Sequence, residues 1–236
     1  MRLVDCIQGS AQWLDARRGN ITASRIVDVL DQLKKGGEGA SRRNYRIELV
    51  AERLTGRSED HYTSPEMVWG QEFEAAARSA YEIERGEMVD TVGFVLHPTF
   101  DFAGASPDGL IADDGGLEIK CPKTTTHLKW MLAGDVPAEH QPQMIWNMVC
   151  TKRAWWDFAS YDPRSPDGLK LFTCRLEMDA ERAALIEAAV KVFHEEVEQT
   201  TTELLKKVPL APVRSKDVRS EYEQLMEVMD LAELVP

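Results

Sequence analysis

Three residues in the middle of the chain have the types and spacing to act on a phosphate: Asp108, Glu118 and Lys120, within GASPDGLIADDGGLEIKCP. Glu118 and Lys120 stand two positions apart, so on a strand both side chains point to one face. Ile119 between them points the other way, into the core, while its main-chain carbonyl stays beside the two charges. Asp108 precedes Glu118 by ten residues, next to Pro107 and Gly109, and a reversal at DDGG brings it back towards Glu118. Two carboxylates and a carbonyl are hard oxygen donors of the kind that suit Mg²⁺ or Mn²⁺. Such a cation lowers the pKa of water and offsets charge on a phosphodiester under attack. Lys120 is placed to orient the attacking water or to neutralise the crowded phosphate. The expectation is a metal-dependent nuclease with Asp108, Glu118 and Lys120 catalytic, and with Asp108, Glu118 and Ile119 as metal ligands. Taken without their setting, the three residues are better read as a surface hairpin carrying a Glu–Lys pair. GASPDG favours chemistry, because small residues and a turn before Asp108 leave room for a bulky ligand, and apolar neighbours flank each charge.

The elements that must position this hairpin follow from periodicity. The spacing predicts a helix over 23–33, with Thr22 as N-cap and Ile26, Val27, Leu30 and Leu33 on one face. A glycine-rich basic loop, KKGGEGASRR (34–43), comes next. A second helix runs from Asn44 to a stop at Gly56, and Ser64-Pro65 opens a third through MVWGQEFEAAARSAYEIE. From Met88 the pattern turns to strands: MVDTVGFVLH, then FAGASPDGLIA and LEIKCP around DDGG. Helices are expected near 124–133 and 139–151, and strands at RAWWDFASYD and GLKLFTCRLEM. In the first of those strands Trp155, Trp156, Phe158 and Tyr161 are read as core packing in preference to base stacking. Asp179 caps a last long helix with Leu185, Ile186, Ala189, Val190, Phe193 and Val197 on one stripe. The class is α/β (α+β), with helices flanking a central mixed sheet. We expect one domain over 1–208 and a helical tail over 209–236. In that tail Val218, Tyr222, Leu225, Met229 and Ala232 form a narrow seam, for packing on its own domain or for a subunit or partner contact.

Bulk composition narrows the classes. The chain has 236 residues, 43% hydrophobic and 29% charged, enough for a sizeable core. Cys6, Cys121, Cys150 and Cys174 are scattered without a CxxC pair, and His61, His97, His127, His140 and His194 lack HExxH spacing. A zinc or iron–sulfur centre is therefore not expected. MRLVDCIQGS turns polar at once and no apolar run is long enough for a bilayer, so a cytoplasmic protein is expected. The net charge of −12 argues against a general nucleic-acid coat, whose footprint is basic. It leaves room for cations gathered in one channel.

Six segments occur in an order that resembles the lambda exonuclease, or YqaJ-type viral recombinase nuclease, branch of the PD-(D/E)xK superfamily. They are QWLDARRGNITAS, WGQEFEAAAR, GASPDGL, GLEIKCP, HQPQMIWNM and WWDFASYDPR. The resemblance implies a restriction-endonuclease-like fold and Mg²⁺ held by Asp108, Glu118 and the Ile119 carbonyl, with Glu74 as an extra acidic residue. It assigns Arg17, Ser24, Ser106 and Gln141 to the 5′-phosphate of a DNA end, with Gln143 as a neighbour able to replace Gln141. It further implies a 5′→3′ exonuclease on double-stranded DNA, a homotrimeric ring, and a single-strand annealing recombinase as partner. Two other readings stay open: a structure-specific endonuclease of the same superfamily, and a non-catalytic module that binds DNA ends or recruits a recombinase. The basic stretch Lys34, Lys35, Arg42, Arg43 and Arg46 departs from the family pattern and carries no individual assignment.

Overall fold

A computed structural model of the chain describes residues 1–33, 35–58 and 64–207. Its elements run β1 (Arg2–Val4), α1 (Ala11–Arg17), β2 (Ile21–Thr22), a 3₁₀ turn (Ala23–Arg25), α2 (Ile26–Val29), α3 (Ala40–Thr55) and α4 (Pro65–Arg85). Then follow β3 (Val89–Asp90), β4 (Phe94–Leu96), β5 (Ala103–Ala105), β6 (Gly109–Ile111) and β7 (Gly115–Lys120). The chain continues through α5 (Thr124–Ala133), α6 (Gln141–Thr151), β8 (Trp155–Tyr161), β9 (Leu171–Glu177) and α7 (Ala180–Lys207). Residues Met1–Thr201 form one compact unit, and the last described turn of α7 lies beyond it. The expected boundary at 208 and the seam over 218–232 lie outside the described residues. No described helix is long and apolar enough to cross a membrane.

The fold is mixed α+β, as expected, but the strands form two sheets instead of one. One has the order β1-β4-β5-β2, and the other β3-β6-β7-β8-β9. Both are mixed: β2 runs parallel to β5 and β7 parallel to β8, while the remaining pairs are antiparallel. The division falls at Ser106-Pro107-Asp108, which splits FAGASPDGLIA into β5 and β6. Proline has no N–H for a ladder, and the Pro107 carbonyl is taken by the Gln8 amide at 2.7 Å. This break leaves Asp108 at the entrance to β6 instead of inside a strand.

Alternation along β7 and β8 sorts the core onto two faces. Trp156 and Phe158 pack with Ile145, Trp146, Val190 and Phe193 from α6 and α7. Leu117, Ile119 and Ala159 face Ala77 and Tyr81 of α4. Glu118 pairs in register with Phe158, so it shares the α6 side, and it is fully buried there. Trp156 and Phe158 are likewise fully buried, and Trp155 and Tyr161 join the second cluster, which bears out their reading as packing residues. Glycines 115 and 116 belong to β7 and not to the turn. Their bare Cα atoms lie against the Trp155 and Trp156 rings, where an added Cβ would come within 2.0 and 2.3 Å of ring carbons.

Some local expectations give way. The helix predicted over 23–33 is reduced to a 3₁₀ turn and one turn of α2, leaving Val27 and Leu33 exposed. Asp31 explains the stop: its carbonyl accepts from Gly39 N and its carboxylate from Ser41 N, which commits it to the start of α3. That helix begins at Ala40, so the last four residues of the supposed basic loop are helical. Arg42 is buried against the Val29 carbonyl, Glu38 and Glu196, and Arg46 pairs with Glu38 and Thr200. Both are framework cations. Within α7, Ile186, Val190, Phe193 and Val197 are buried, but Leu185 points outwards. The Asp179 cap is present, its carboxylate accepting from Arg182 N at 3.0 Å.

Candidate active site

The β6–β7 hairpin assembles the triplet as its spacing requires. One Asp108 carboxylate oxygen accepts from the Ile119 main-chain N–H at 2.7 Å, which ties the entrance of β6 to the exit of β7. Lys120 donates from Nζ to Glu118 Oε1 at 2.5 Å. The other Glu118 oxygen accepts from Asn147 Nδ2 on α6 at 3.2 Å. Glu74, on α4, lines the same cavity but turns its Oε1 to Arg78, one helical turn on, at 2.6 Å.

That cavity has a volume of about 480 Å³ and brings Asp108, Glu118, Ile119, Lys120 and Glu74 together with Arg17, Ser24, Ser106 and Gln143. Arg17 reaches it from the last turn of α1. Its NH1 donates to Ser106 Oγ at 3.0 Å, and its guanidinium lies over the Trp13 ring at 4.2 Å. The Trp13 indole N–H donates to the same Ser106 oxygen at 2.9 Å. Gln141 does not join this group. Its amide is used at the N-terminus of α6, donating to the Val136 carbonyl and accepting from Arg182. Gln143, two positions along the helix, lines the cavity instead.

Residues 12–154 match the profile of the YqaJ-like viral recombinase domain. The chain belongs to that family. Its fold superposes on an alkaline exonuclease (LHK-Exo) from Laribacter hongkongensis with a TM-score of 0.78 and 44% identity, covering 84% of this chain and 97% of that one. The same exonuclease in complex with dAMP gives a TM-score of 0.78 at 43% identity, with the same coverage. A phage-related exonuclease from Haemophilus somnus 129PT shares the fold, with a TM-score of 0.64 and 14% identity over 78% of this chain and 96% of that chain. No curated protein sequence matches the chain significantly.

In this YqaJ-like chain the electrostatics of the site are dominated by crowded acids. Burial pushes the Asp108 carboxyl well above the usual range, and the Glu118 and Glu74 charges push it further, against the pull of Lys120 and the Ile119 N–H. Burial on its own would lower the Lys120 ammonium, but Glu118, Asp108 and Glu74 outweigh it and leave the group raised, a firm cation. Lys120 is thus held as a cation, its ammonium donating to Glu118. No three His, Cys, Asp or Glu side chains gather as a metal cluster among the described residues. The available set is two carboxylates and a main-chain carbonyl, with Glu74 beside them. These hard oxygens suit a divalent cation, which would relieve both the burial cost and the repulsion that raise Asp108.

The raised Asp108 has a consequence for stability. A carboxyl whose folded pKa exceeds its unfolded value favours folding at low pH, and this contribution is lost as pH rises through the folded value. Chelated Asp108→Asn protein is therefore expected to melt higher than chelated wild type at pH 8, with the gap closing towards pH 4. Each kcal/mol relieved should appear as about 2–4 °C for a chain of this size. Thermal unfolding in excess chelator measures it, and a lower midpoint for the variant at pH 8 would contradict the assigned strain.

Four residues of this site lie in the segments of the resemblance but had no individual role assigned from sequence. Trp13 supplies the stacking platform for Arg17, and Asn147 holds Glu118 from a fully buried position on α6. Arg78 holds Glu74, while His140 lines the cavity between Trp130 and Phe158. Burial and the nearby Lys120 ammonium lower the His140 pKa to about 4, so its ring is neutral at ordinary pH.

Proposed function

We propose that this YqaJ-like chain is a Mg²⁺-dependent exonuclease that degrades double-stranded DNA from its 5′ ends and leaves 3′ single strands, with Mn²⁺ as a possible substitute metal. The observation that carries the reading is Arg17. It lies half-buried in the same cavity as Asp108, Glu118 and Lys120, with no carboxylate within ion-pair distance among the described residues. A partly desolvated guanidinium beside serine hydroxyls suits a doubly charged terminal phosphate. The dAMP complex of the exonuclease that is 43% identical adds support, because dAMP is the kind of mononucleotide such a reaction releases.

Asp108, Glu118 and the Ile119 carbonyl would hold the cation, which when bound lowers the pKa of water and offsets negative charge on the phosphate. The chain's own groups do the rest. Arg17, with Ser24, Ser106 and Gln143, fixes the terminal phosphate and so sets which bond reaches the carboxylates. Asn147 and Ile119 N–H hold Glu118 and Asp108 in fixed orientation. Lys120 offers its N–H donors to the attacking water and the non-bridging phosphate oxygens. A homotrimeric ring would place these cavities around a shared channel and leave the acidic charge of −12 on the outside. A single-strand annealing recombinase would then take the exposed 3′ strand, in the cytoplasm.

Linear duplexes with 5′-phosphate or 5′-hydroxyl ends, incubated with Mg²⁺, test this. Phosphorylated ends should be digested faster and only 5′-labelled strands should release mononucleotides early, while covalently closed circles stay intact. Equal use of both ends, or digestion from 3′ ends, would reject the polarity and the phosphate pocket. Sizing in solution tests the ring.

A further inference from the structure

Arg78 has no part in the chemistry proposed above, yet it touches two parts of the acidic site at once. A single terminal nitrogen, NH2, donates to Glu74 Oε1 at 2.6 Å and to the Asp108 main-chain carbonyl at 3.2 Å. That nitrogen carries two hydrogens, one for each contact. The bridge joins α4, which carries Glu74, to the entrance of β6, which carries Asp108. An ion pair between residues four apart on an exposed helix contributes little by itself. Here the same nitrogen is also held by the Asp108 carbonyl, so the Glu74 carboxylate is referenced to Asp108 and not merely to its own helix.

Two further observations make this a built arrangement. The Arg78 Nε is buried with no hydrogen-bond partner. Leaving a donor unsatisfied is costly, so the side chain is held by what NH2 gains and not by full satisfaction of the guanidinium. Arg78 also lines a second cleft, of about 610 Å³, which shares Gln8, Glu74 and Asp108 with the catalytic cavity. Glu74 and Asp108 thus form a wall common to both cavities, and Arg78 braces it from the side that Glu118 and Lys120 do not line.

We propose that Arg78 is a positioning residue that sets the spacing of the Glu74 carboxylate relative to Asp108, and through that spacing the affinity of the site for a divalent cation. This rests on the reading that Asp108, Glu118 and Glu74 take such a cation. Arg78→Lys separates position from charge, because the ammonium keeps the positive charge but sits on a shorter side chain that does not place its nitrogen where NH2 bridges helix and strand. Partners that orient metal-binding groups typically matter by about 10–100-fold in metal affinity.

Mn²⁺ titration of the DNA-free protein, followed by electron paramagnetic resonance, reads the effect without catalysis. Arg78→Lys is expected to weaken Mn²⁺ binding by about tenfold or more, and to raise the Mg²⁺ needed for half-maximal digestion in parallel, with the KM for DNA ends unchanged. Glu74→Gln should give a similar loss, and the double variant should be no worse than the single ones, since both act through one carboxylate. Unfolding curves of metal-free protein establish that each variant is folded. Wild-type Mn²⁺ affinity in Arg78→Lys, tighter binding, or additive losses in the double variant would each overturn the inference. A wild-type protein that binds no Mn²⁺ would instead overturn the metal reading beneath it.

Discussion

Lys120→Met is expected to lower the single-turnover rate of duplex digestion by about 10³-fold or more, the scale of removing a donor aimed at developing charge together with a group that orients the nucleophile. Methionine keeps much of the length and the apolar stem, so packing changes little. What disappears is one ammonium, raised by Glu118, Asp108 and Glu74 around it and bound to Glu118 at 2.5 Å. Its loss removes the only lysine among the described residues that line the cavity. The same loss leaves the two carboxylates more negative, so Mn²⁺ should bind Lys120→Met at least as tightly as wild type. These opposed changes, chemistry lost and cation affinity kept, separate a catalytic lysine from one that merely steadies Glu118. Lys120→Arg is expected to recover little, because a planar fork cannot reproduce a single-point contact next to a buried carboxylate. If Lys120→Met digested DNA within about tenfold of wild type, water orientation and phosphate neutralisation would have to be assigned elsewhere. A wild type without metal-dependent cleavage would favour the end-binding module.

The hairpin that carries this chemistry was legible because two rules with short reach determine it. Alternation fixes Glu118 and Lys120 on one face, and a proline before Asp108 fixes where the strand begins. Helix ends marked by local chemistry were equally legible: Ser64 accepts from Met67 N, and Gly56 adopts φ 64° at the end of α3. The residues that escaped act across long sequence separations. Asn147 reaches Glu118 over 29 positions and Trp13 reaches Ser106 over 93, and neither spacing leaves a periodic trace. The split into two sheets was hidden for a related reason, since Pro107 signals a break but not that the strands on either side join different ladders. Basic residues were the least legible of all. Arg42, read as part of a basic loop, is spent on Glu38 and Glu196, the latter 154 positions away, whereas Arg17, equally ordinary in sequence, has no carboxylate partner among the described residues. A net charge cannot distinguish a spent cation from an open one.

Arg17→Ala should therefore act on one kind of DNA end only. Removing a charge-assisted contact to phosphate costs about 1.5–3 kcal/mol, so the KM for 5′-phosphorylated ends is expected to rise by about 10–150-fold. The KM for 5′-hydroxyl ends, which offer no terminal dianion, should move by less than about threefold. Preference for phosphorylated ends then collapses, while Asp108, Glu118 and Lys120 stay in place. Arg17→Lys should restore part of the preference through charge alone. It cannot reproduce the stack on Trp13 at 4.2 Å together with the Ser106 contact at 3.0 Å. The same assay decides between the two glutamines. Gln143 lines the cavity, so Gln143→Ala should weaken phosphorylated ends in the same direction as Arg17→Ala. Gln141 is tied to Val136 and Arg182, so Gln141→Ala should lower the thermal midpoint and leave end preference alone. Loss of preference in Gln141→Ala with none in Gln143→Ala would reverse that assignment. Unchanged preference in Arg17→Ala would remove the phosphate pocket and leave a nuclease that does not sense its end through this residue.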